Sequence, residues 1–472
     1  MTDATDHGAS RRWAALAVLL VGAFLPPLDF FIVNVALPSI RAGLKAGPGA
    51  VQLVVSAYAT AYAVLLITGG RLGDIYGRRR VFVFGMIGFA LSSALSGVAW
   101  SPSVLIVGRV LQGLTAAVMA PQSLASIQAI FPDDEKPRAL AFYAATFGIA
   151  SAAGLLLGGA LIAASPFGLG WRAIFLVNLP VVAVTIPAAL VLLEETRADD
   201  PERPDIVGAV LVAAALFALV LPLIEGRDRG WPLWSWVLLG TSIPFMLTFA
   251  WYERRVDARG GDPLVVPTVL ATPGIKRGLA TALLFYALAV FWLMFSVYEQ
   301  AGRRRTPLQA GLDILPAAFG FIVGPLAGGW LAKRLGRWTS ATGMVIQALG
   351  LLGTGAAILV ERPHLLIVPL FAIGLGQGIA LPALTRSIVS RVEAKWSGLA
   401  AGLVTSMFQI GGALAVAAIG GLFYALGGGG NRPSLARAYA IGVAAIALCL
   451  IVAAILSVRL GESNPNAKGR AA

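Results

Sequence analysis

The sequence predicts an all-α protein that crosses a membrane many times. Of its 472 residues, 58% are hydrophobic and only 12% are charged, whereas soluble proteins carry roughly 25% charged residues. The 55 glycines and 27 prolines lie largely inside long apolar runs, which is typical of membrane helices. One cysteine and two histidines argue against structural zinc, thiol redox chemistry and most metal catalysis. A soluble enzyme, a disulfide scaffold and a disordered chain are therefore excluded.

Fourteen apolar segments are long enough to cross the hydrocarbon core, which takes about 20 helical residues. Backbone polar groups must be paired within each segment inside lipid, so these segments are predicted to be helices rather than strands. Numbered 1 to 14 along the chain, the predicted helices are 13–37, 51–70, 81–98, 104–127, 139–164, 173–193, 206–224, 234–251, 278–298, 311–332, 339–360, 365–385, 398–426 and 436–458.

The distribution of basic residues predicts the orientation. The net charge is +13, and most lysines and arginines fall in loops that are cytoplasmic if the N-terminus is inside, as the positive-inside rule requires. Both termini are therefore predicted to be cytoplasmic, although the arginine run 303–305 lies on the opposite side. Because the basic residues occupy short loops, they do not favour nucleic-acid binding. The chain also lacks the glycine-rich Lys-Ser/Thr loop that holds a nucleotide.

An internal repeat predicts the domain organisation. Residues 69–78 (GGRLGDIYGR) recur as residues 328–337 (GGWLAKRLGR), and Gln112-Gly113 recurs as Gln377-Gly378. Helices 2 and 4 then correspond to helices 10 and 12, as expected for a parallel repeat. We predict six-helix bundles at 13–193 and 276–458, separated by a linker at 194–275 that carries two inserted helices. Tails at 1–12 and 459–472 complete this 6+2+6 arrangement.

Five motifs resemble those of the major facilitator superfamily, in particular its 14-helix drug:proton antiporters of the EmrB/QacA type. They are the loop 70–79 (GRLGDIYGRR), residues 28–38 in helix 1 (LDFFIVNVALP), Arg109-x-x-Gln112-Gly113, residues 171–180 (WRAIFLVNLP) and residues 306–316 (TPLQAGLDILP). The resemblance implies the major facilitator fold, with two pseudo-symmetric bundles. It also implies proton-coupled export, by alternating access, of drugs or other amphipathic molecules, cations among them. The location would be the bacterial inner membrane, and the energy source would be the proton gradient without a cofactor.

Asp29 is the first candidate for proton coupling. A carboxylate inside helix 1 is costly as an anion, and acids at membrane depth usually serve function. Proton coupling requires a group that binds a proton while the transporter faces one side of the membrane and releases it while the transporter faces the other side. Pro26 and Pro27 immediately before it predict a break in the helix. The alternative is an acid near the outer interface that simply meets water.

Arg109 and Asp313 are the other candidates for proton coupling. A buried guanidinium in helix 4 must find a partner, and the resemblance implies that Arg109 tunes Asp29. The alternative for Arg109 is a structural hydrogen bond to carbonyls of helix 1. Asp313 opens helix 10, where related exporters of cations can carry an acid that reads substrate charge. Its alternative role is to cap that helix or to neutralise residues 303–305.

The loop after helix 2 is predicted to act as a cytoplasmic gating latch. An acid flanked by two arginines in a glycine-bounded turn can form charge contacts between the two bundles in one state and break them in the other. The alternative is a solvated loop that only sets topology. The second-half copy has Lys333 in place of the acid, so it cannot form the same latch. The latch residues are Gly70, Asp74, Gly77, Arg78 and Arg79.

The substrate cavity is predicted to be aromatic with a few polar anchors, which suits bulky amphipathic compounds and cations. For any single aromatic residue, the alternative is lipid contact or core packing. The candidates are Phe30, Phe31, Asn34, Tyr58, Tyr62, Gln112, Gln122, Tyr286, Trp292, Gln377 and Gln409.

Helix 5 departs from the family pattern. The antiporter motif is Gly-x-x-x-x-x-Gly-Pro-x-x-Gly-Gly, and this chain carries Gly148, Gly154, Leu155, Gly158 and Gly159. The small-residue stripe that permits close packing is kept. Leu155 replaces the proline whose kink is thought to bias antiport, so this motif leaves the direction of transport and strict exchange open.

Two rival functions remain at this point. Within transporters, the chain could be a dedicated exporter of one native metabolite or antibiotic. From another class, an intramembrane enzyme or a channel would need a reactive constellation or a selectivity ring; His7 and His364 lie outside the spans and Cys449 is isolated. The predicted partners are a small-molecule substrate, protons and the bilayer, with neither nucleic acid nor nucleotide. The oligomeric state stays open, with a monomer as one option.

Overall fold

The computed structural model describes residues 2–132, 134–198, 203–393, 396–427 and 431–462. These ranges contain helices and connecting turns and no β-strand. Their long helices are α1 (Thr2–Leu44), α2 (Pro48–Tyr76), α3 (Arg78–Gly97), α4 (Pro102–Ile130), α5 (Lys136–Ala164), α6 (Asn178–Leu192), α7 (Ile206–Asp228), α8 (Leu233–Ala258), α9 (Ile275–Gly302), α10 (Leu315–Leu335), α11 (Thr339–Leu359), α12 (Ile367–Val389), α13 (Ser397–Leu426) and α14 (Arg432–Val458).

Thirteen helical stretches among the described residues are apolar and long enough to cross a membrane. One of them, Pro307–Leu359, has 53 residues, which would extend about 80 Å as a straight helix. The hydrocarbon core is only about 30 Å thick. This stretch contains both α10 and α11, which are separated by the tight turn Gly336–Trp338. It therefore accounts for two of the fourteen predicted helices.

Large apolar side chains cover much of the outer surface of these helices. Phe84 on α3 is 73% exposed, Leu326 on α10 is 78% exposed and Leu448 on α14 is 63% exposed. Such exposed side chains on the helices of a polytopic protein are suited to lipid, which offers them an apolar surrounding that water does not. The described helices are therefore built for a bilayer.

The first helix differs from the sequence prediction at two places. Helical backbone begins at Thr2, ahead of the predicted span, and continues through Pro26 and Pro27 to Leu44. The predicted break at these two prolines is therefore wrong. Prolines are tolerated inside membrane helices, and those at 26 and 27 leave the carbonyls of Gly22 and Ala23 without their usual amide donors. The Tyr58 hydroxyl of α2 donates to the Pro26 carbonyl over 3.1 Å.

The helices form two compact units. The first comprises Met1–Phe249 with Arg305–Leu312, and the second comprises Ala250–Arg304 with Asp313–Ala472. In the first unit α7 packs against α2, so this inserted helix belongs to the N-terminal unit. The C-terminal tail predicted at 459–472 begins with the short helix Arg459–Glu462, and residues 463–472 lie outside the described ranges.

Glycines bring helices of the first unit into close contact. On α5, an added Cβ at Gly154 would lie 2.8 Å from the Leu28 carbonyl oxygen, and one at Gly158 would lie 3.0 Å from that of Ile32. The stripe on α5 therefore packs against α1, and Leu155 beside it is buried. This contact holds the part of α1 that carries Asp29.

Candidate functional site

A buried ion pair joins α1 to α4 in the first unit. Nη1 of Arg109 donates a hydrogen bond to Oδ2 of Asp29. Both side chains are completely buried, so neither charge is offset by bulk water. Asp29 is therefore an interior acid, and the partner of Arg109 on α1 is a carboxylate.

Two amides donate to the second carboxylate oxygen, and both also contact a serine hydroxyl. Gln112 Nε2 donates to Asp29 Oδ1 over 3.1 Å, and Asn178 Nδ2 donates to the same oxygen over 3.3 Å. The same amides also lie within hydrogen-bond distance of Ser93 Oγ, at 2.7 Å and 3.2 Å. We call Asp29, Ser93, Arg109, Gln112 and Asn178 the carboxylate cluster. It draws residues from α1, α3, α4 and α6.

Arg109 connects this cluster to α2. Its Nε donates to the Val54 carbonyl over 3.0 Å, and its Nη1 also donates to Gln112 Oε1 over 2.9 Å. The guanidinium carbon lies 4.2 Å from the centre of the Tyr58 ring, within the range of a cation–π contact. Its Nη2 has no hydrogen-bond partner among the described residues. One side chain thus contacts α1, α2 and α4.

Small residues on α4 allow these contacts. A Cβ added at Gly113 would collide with the Tyr58 carbonyl, and one at Gly108 would collide with the Ser96 hydroxyl. The close approach lets Ser96 Oγ donate to Gln112 Oε1 over 3.2 Å. The spacing Arg109-x-x-Gln112-Gly113 therefore combines two polar groups with the glycine that brings α2 next to them.

Sequence reasoning did not assign Ser93 or Asn178 to this cluster. Asn178 lies within a motif that the sequence analysis quoted, and an amide in an apolar helix is itself a signal of a buried polar contact. Ser93 carried no such signal, because serines are frequent in membrane helices and usually bond to their own helix. Its role depends on which face of α3 meets α4 and α6.

The segment predicted as the loop after helix 2 is the junction between α2 and α3, which meet at Gly77. This junction contains a second ion pair, which is partly exposed. Arg78 Nη2 lies 2.9 Å from Asp74 Oδ1, and Arg78 Nη1 donates to the Ala125 carbonyl on α4 over 3.3 Å. Gly70 lies earlier on α2 and faces Pro121. A Cβ added at Gly70 would lie 3.8 Å from the Cβ of Pro121, an ordinary contact distance. The predicted latch residues Asp74 and Arg78 are therefore in contact within the first unit.

Glu195, which was not among the predicted site residues, contacts the same junction of α2 and α3. Its Oε1 accepts a hydrogen bond from the Arg79 backbone over 3.0 Å, and its Oε2 lies 3.8 Å from Arg79 Nε and 3.6 Å from Arg80 Nε. Gly77 has φ +102, a conformation that other residues rarely adopt. A Cβ at Gly77 would also collide with the Glu195 carboxylate. The backbone conformation therefore favours glycine at this position, and a Cβ there would require the Glu195 carboxylate to shift.

Asp313 belongs to the second unit and has a different environment. Its Oδ2 lies 3.9 Å from Arg303 Nη1, and its side chain is 30% exposed. Arg303 forms a closer pair with the fully buried Glu299, with Nη1 2.8 Å from Oε1 and 2.6 Å from Oε2. Asp313 thus lies beside an arginine of the 303–305 run and outside the carboxylate cluster of the first unit.

The cavity candidates of the first unit have varied contacts. Gln112 is part of the carboxylate cluster, and Gln122 Nε2 donates to the carbonyls of Gly69 and Val118 over 2.7 and 3.0 Å. Asn34 Nδ2 donates to the carbonyl of Phe30 over 2.7 Å. Several aromatic rings of this set pack on one another: Phe30 on Phe31, Phe31 on Phe147, and Tyr58 on Tyr62.

The candidates of the second unit are mostly inside the protein. Tyr286 stacks on Phe408 with ring centres 5.4 Å apart. Trp292 and Gln377 are buried, whereas Gln409 is half-buried. For Tyr286 and Trp292, burial excludes full exposure to lipid, so the choice left is between core packing and a cavity wall.

Comparison with known proteins identifies the family. A model of the Major Facilitator Superfamily matches residues 19–416 and 277–472. The chain is 38% identical to the probable actinorhodin transporter of Streptomyces coelicolor, over 88% of this chain and 73% of that protein. It is 35% identical to the puromycin resistance protein pur8 of Streptomyces alboniger, over 86% and 81%. The cephamycin export protein CmcT of Amycolatopsis lactamdurans is 34% identical over 97% and 94%.

The membrane helices and these bacterial relatives together identify a multi-pass protein of the bacterial inner membrane. All five motifs quoted from the sequence lie within the family match, which extends over more than half of the chain. The all-helical architecture agrees with that assignment. The chain therefore belongs to the major facilitator superfamily.

Proposed function

We propose that this protein is a proton-coupled exporter of antibiotics or other drugs. The family and the names of its relatives, which include a transporter, a resistance protein and an export protein, support export of small molecules. The observation that supports proton coupling is the completely buried ion pair of Asp29 and Arg109. Burying two charges costs free energy, and charged residues inside membrane helices usually serve a function.

The proposed coupling step is the binding of one proton by Asp29. In the charged state, its oxygens accept from Arg109, Gln112 and Asn178. A proton on Oδ2 turns that oxygen from an acceptor into a hydroxyl, so Arg109 loses its strongest partner and must move. Because Arg109 also bonds to the Val54 carbonyl, its movement changes the contact between α2 and α4. Proton binding then favours a second arrangement of these helices.

The junction of α2 and α3 is proposed to break and re-form its ion-pair contacts during that rearrangement. The Asp74–Arg78 pair is only partly buried, with side chains 35% and 17% exposed. Such pairs contribute roughly 0–1 kcal/mol, so they can be exchanged between states without a large barrier. A latch of this strength biases the two states without trapping either.

Asp313 is proposed to take part in proton coupling by binding the positive charge of a cationic substrate. Support comes from its partial exposure and its position 3.9 Å from Arg303, where a cation could compete with the arginine for the carboxylate. The alternative is that Asp313 only neutralises the arginine run. The two roles differ in selectivity, because only the first makes Asp313→Asn lose cations while neutral compounds are still transported.

A dedicated exporter of one compound is the second candidate. Two of the three relatives above are named after a single antibiotic that they transport or export, which supports this narrower function. A panel of unrelated compounds separates the two candidates. A multidrug exporter transports several of them, whereas a dedicated exporter transports one chemical family.

The test uses everted membrane vesicles with an imposed proton gradient and a pH-sensitive dye. Addition of a transported compound should release protons from vesicles that contain the parent chain. Asp29→Asn should abolish this release and uphill transport. The exposed acid Asp134 provides the control variant Asp134→Asn, which should behave like the parent. Uphill transport retained in Asp29→Asn would refute the coupling role.

A further inference from the structure

Helix α2 carries buried polar groups that the proposed coupling does not use. Gln52 and Ser56 lie one turn apart, and both are completely buried. Neither amide atom of Gln52 and no atom of the Ser56 hydroxyl has a hydrogen-bond partner among the described residues. The hydroxyl of Thr60, one turn further on, is also buried and unpartnered in that part of the chain. We call Gln52, Ser56 and Thr60 the α2 strip.

The Gln52 end of the strip faces away from α4. Ala61 packs against Gly113 of α4, and Gln52 precedes Ala61 by nine residues, about two and a half helical turns. Gln52 and Ala61 therefore lie on opposite sides of α2. The side toward α4 holds Tyr58, which packs on Arg109. The strip is thus separate from the carboxylate cluster, although both contact the same helix.

Hydroxyls in these helices usually find a partner. Ser96 donates to the Ser92 carbonyl over 2.9 Å, and Thr146 donates to the Phe142 carbonyl over 2.9 Å. Polar atoms that are buried without a partner destabilise a fold, and apolar residues of similar shape do not. A helix designed only for stability would carry leucine or alanine at these positions. The polar groups of the strip are therefore available for a ligand.

We propose that the α2 strip is a hydrogen-bonding surface of the substrate site and binds neutral polar groups of the cargo. This inference rests on the proposed export function and names its substrate class. The amide of Gln52 offers both a donor and an acceptor, and each hydroxyl offers the same. The strip has no charge, so it suits hydroxyl, carbonyl and amide groups rather than ions. Its length of about 12 Å fits a molecule of several linked rings.

The position of the strip gives α2 a role in coupling. On one side, the Val54 carbonyl accepts a hydrogen bond from Arg109, whose partner is the proposed proton carrier Asp29. Gln52 and Ser56 flank Val54 along the same helix. A cargo bound at the strip and a proton bound at Asp29 therefore act on one rigid element, and each can bias its position.

The first test measures stability without any cargo. In the purified full chain, Gln52→Leu and Ser56→Ala remove polar atoms that have no partner, so both variants should melt at or above the temperature of the parent. Gln122→Leu is the matched control, because Gln122 donates to the carbonyls of Gly69 and Val118. This control should melt below the parent. A lower melting temperature for Gln52→Leu would show that its amide is already satisfied in the fold and would overturn the proposal.

The second test measures transport of two probes in proteoliposomes. Puromycin carries hydroxyl, amide and ether groups, and tetraphenylphosphonium carries no hydrogen-bonding group. Loss of one neutral hydrogen bond lowers affinity by about two- to tenfold, so the KM for puromycin should rise by that factor in Gln52→Leu and in Ser56→Ala. The KM for tetraphenylphosphonium should not change. Equal changes for both probes, or none for puromycin, would overturn the strip as a selective surface.

The two proposals fail separately. If Asp29→Asn still transports uphill, the coupling function is wrong, and the KM comparison of the two probes still tests the strip. If coupling is intact and the strip variants melt below the parent, only the strip is wrong. If the parent transports neither probe, export of these two compounds is refuted, and the strip as a binding surface for puromycin is refuted with it.

Discussion

The buried pair of Asp29 and Arg109 makes a prediction about stability that a double-mutant cycle can measure. Arg109→Gln removes the guanidinium and leaves a completely buried carboxylate with only the two amide donors of Gln112 and Asn178. Removing one partner of a buried pair costs about 3–5 kcal/mol. Asp29→Asn leaves Arg109 buried and should cost a similar amount.

The double variant Asp29→Asn/Arg109→Gln should be more stable than Arg109→Gln alone. It leaves no buried charge, and its new amides can bond to Gln112 and Asn178. The remaining loss is then one or two neutral hydrogen bonds, about 1–3 kcal/mol in total. The double variant should therefore be about 2 kcal/mol more stable than Arg109→Gln alone. The coupling energy of the cycle should be about 6 kcal/mol, above the roughly 0.5–3 kcal/mol usual for residues in contact, because each single variant leaves a buried charge unpaired.

The assay is chemical unfolding of the purified chain in detergent at one fixed pH, with the free energies of the four proteins compared. The control cycle uses Glu225 and Arg229, whose ion pair spans 3.1 Å with Arg229 63% exposed. That pair should show a coupling of about 0.3–0.5 kcal/mol. If the two variants of the buried pair are additive, Asp29 and Arg109 do not form a charged pair and the coupling step loses its basis.

Four further predictions test the surroundings of the two ion pairs. Asn178→Ala should slow proton-coupled transport several-fold while cargo binding is kept, because Asp29 loses one donor; an unchanged rate would exclude Asn178 as a positioning residue. Gly77→Ala should lower the unfolding free energy by about 1–2 kcal/mol, from the left-handed backbone alone, and equal stability would contradict the loop geometry. Asp74→Asn should reduce turnover and leave cargo affinity unchanged, measured as kcat and KM, and an unchanged kcat would reject the latch. Glu195→Gln should impair transport more than Glu194→Gln, since only Glu195 approaches the arginines, and equal effects would remove Glu195 from the loop.

The helices could be predicted from the sequence because hydrophobicity is a local property of the chain. Each span needs its own continuous apolar stretch, so composition along the sequence predicts where helices cross. Pro26 and Pro27 are the exception, because their missing amide hydrogens predicted a break and α1 stays helical through both.

The candidate site could be predicted in part. Asp29 and Arg109 are conspicuous because a charge inside an apolar segment is costly, and their motifs carried the family resemblance. Ser93 and the Val54 carbonyl gave no such signal. Three glutamines with the same side-chain chemistry have different hydrogen-bond partners, and only the structure shows this. Gln112 bonds to Asp29, Gln122 bonds to the Gly69 carbonyl and Gln52 has no partner among the described residues.

The sequence by itself determined the membrane class, the positions of the helices, the family and the charged residues that a bilayer makes costly. Each of these follows from residue type and order along the chain. Only the tertiary structure decided which polar groups meet, because a hydrogen bond depends on the faces that two helices present and on how closely glycines such as Gly113 let them approach. A displacement of a few ångströms between α1 and α4 would leave the same sequence without its buried pair.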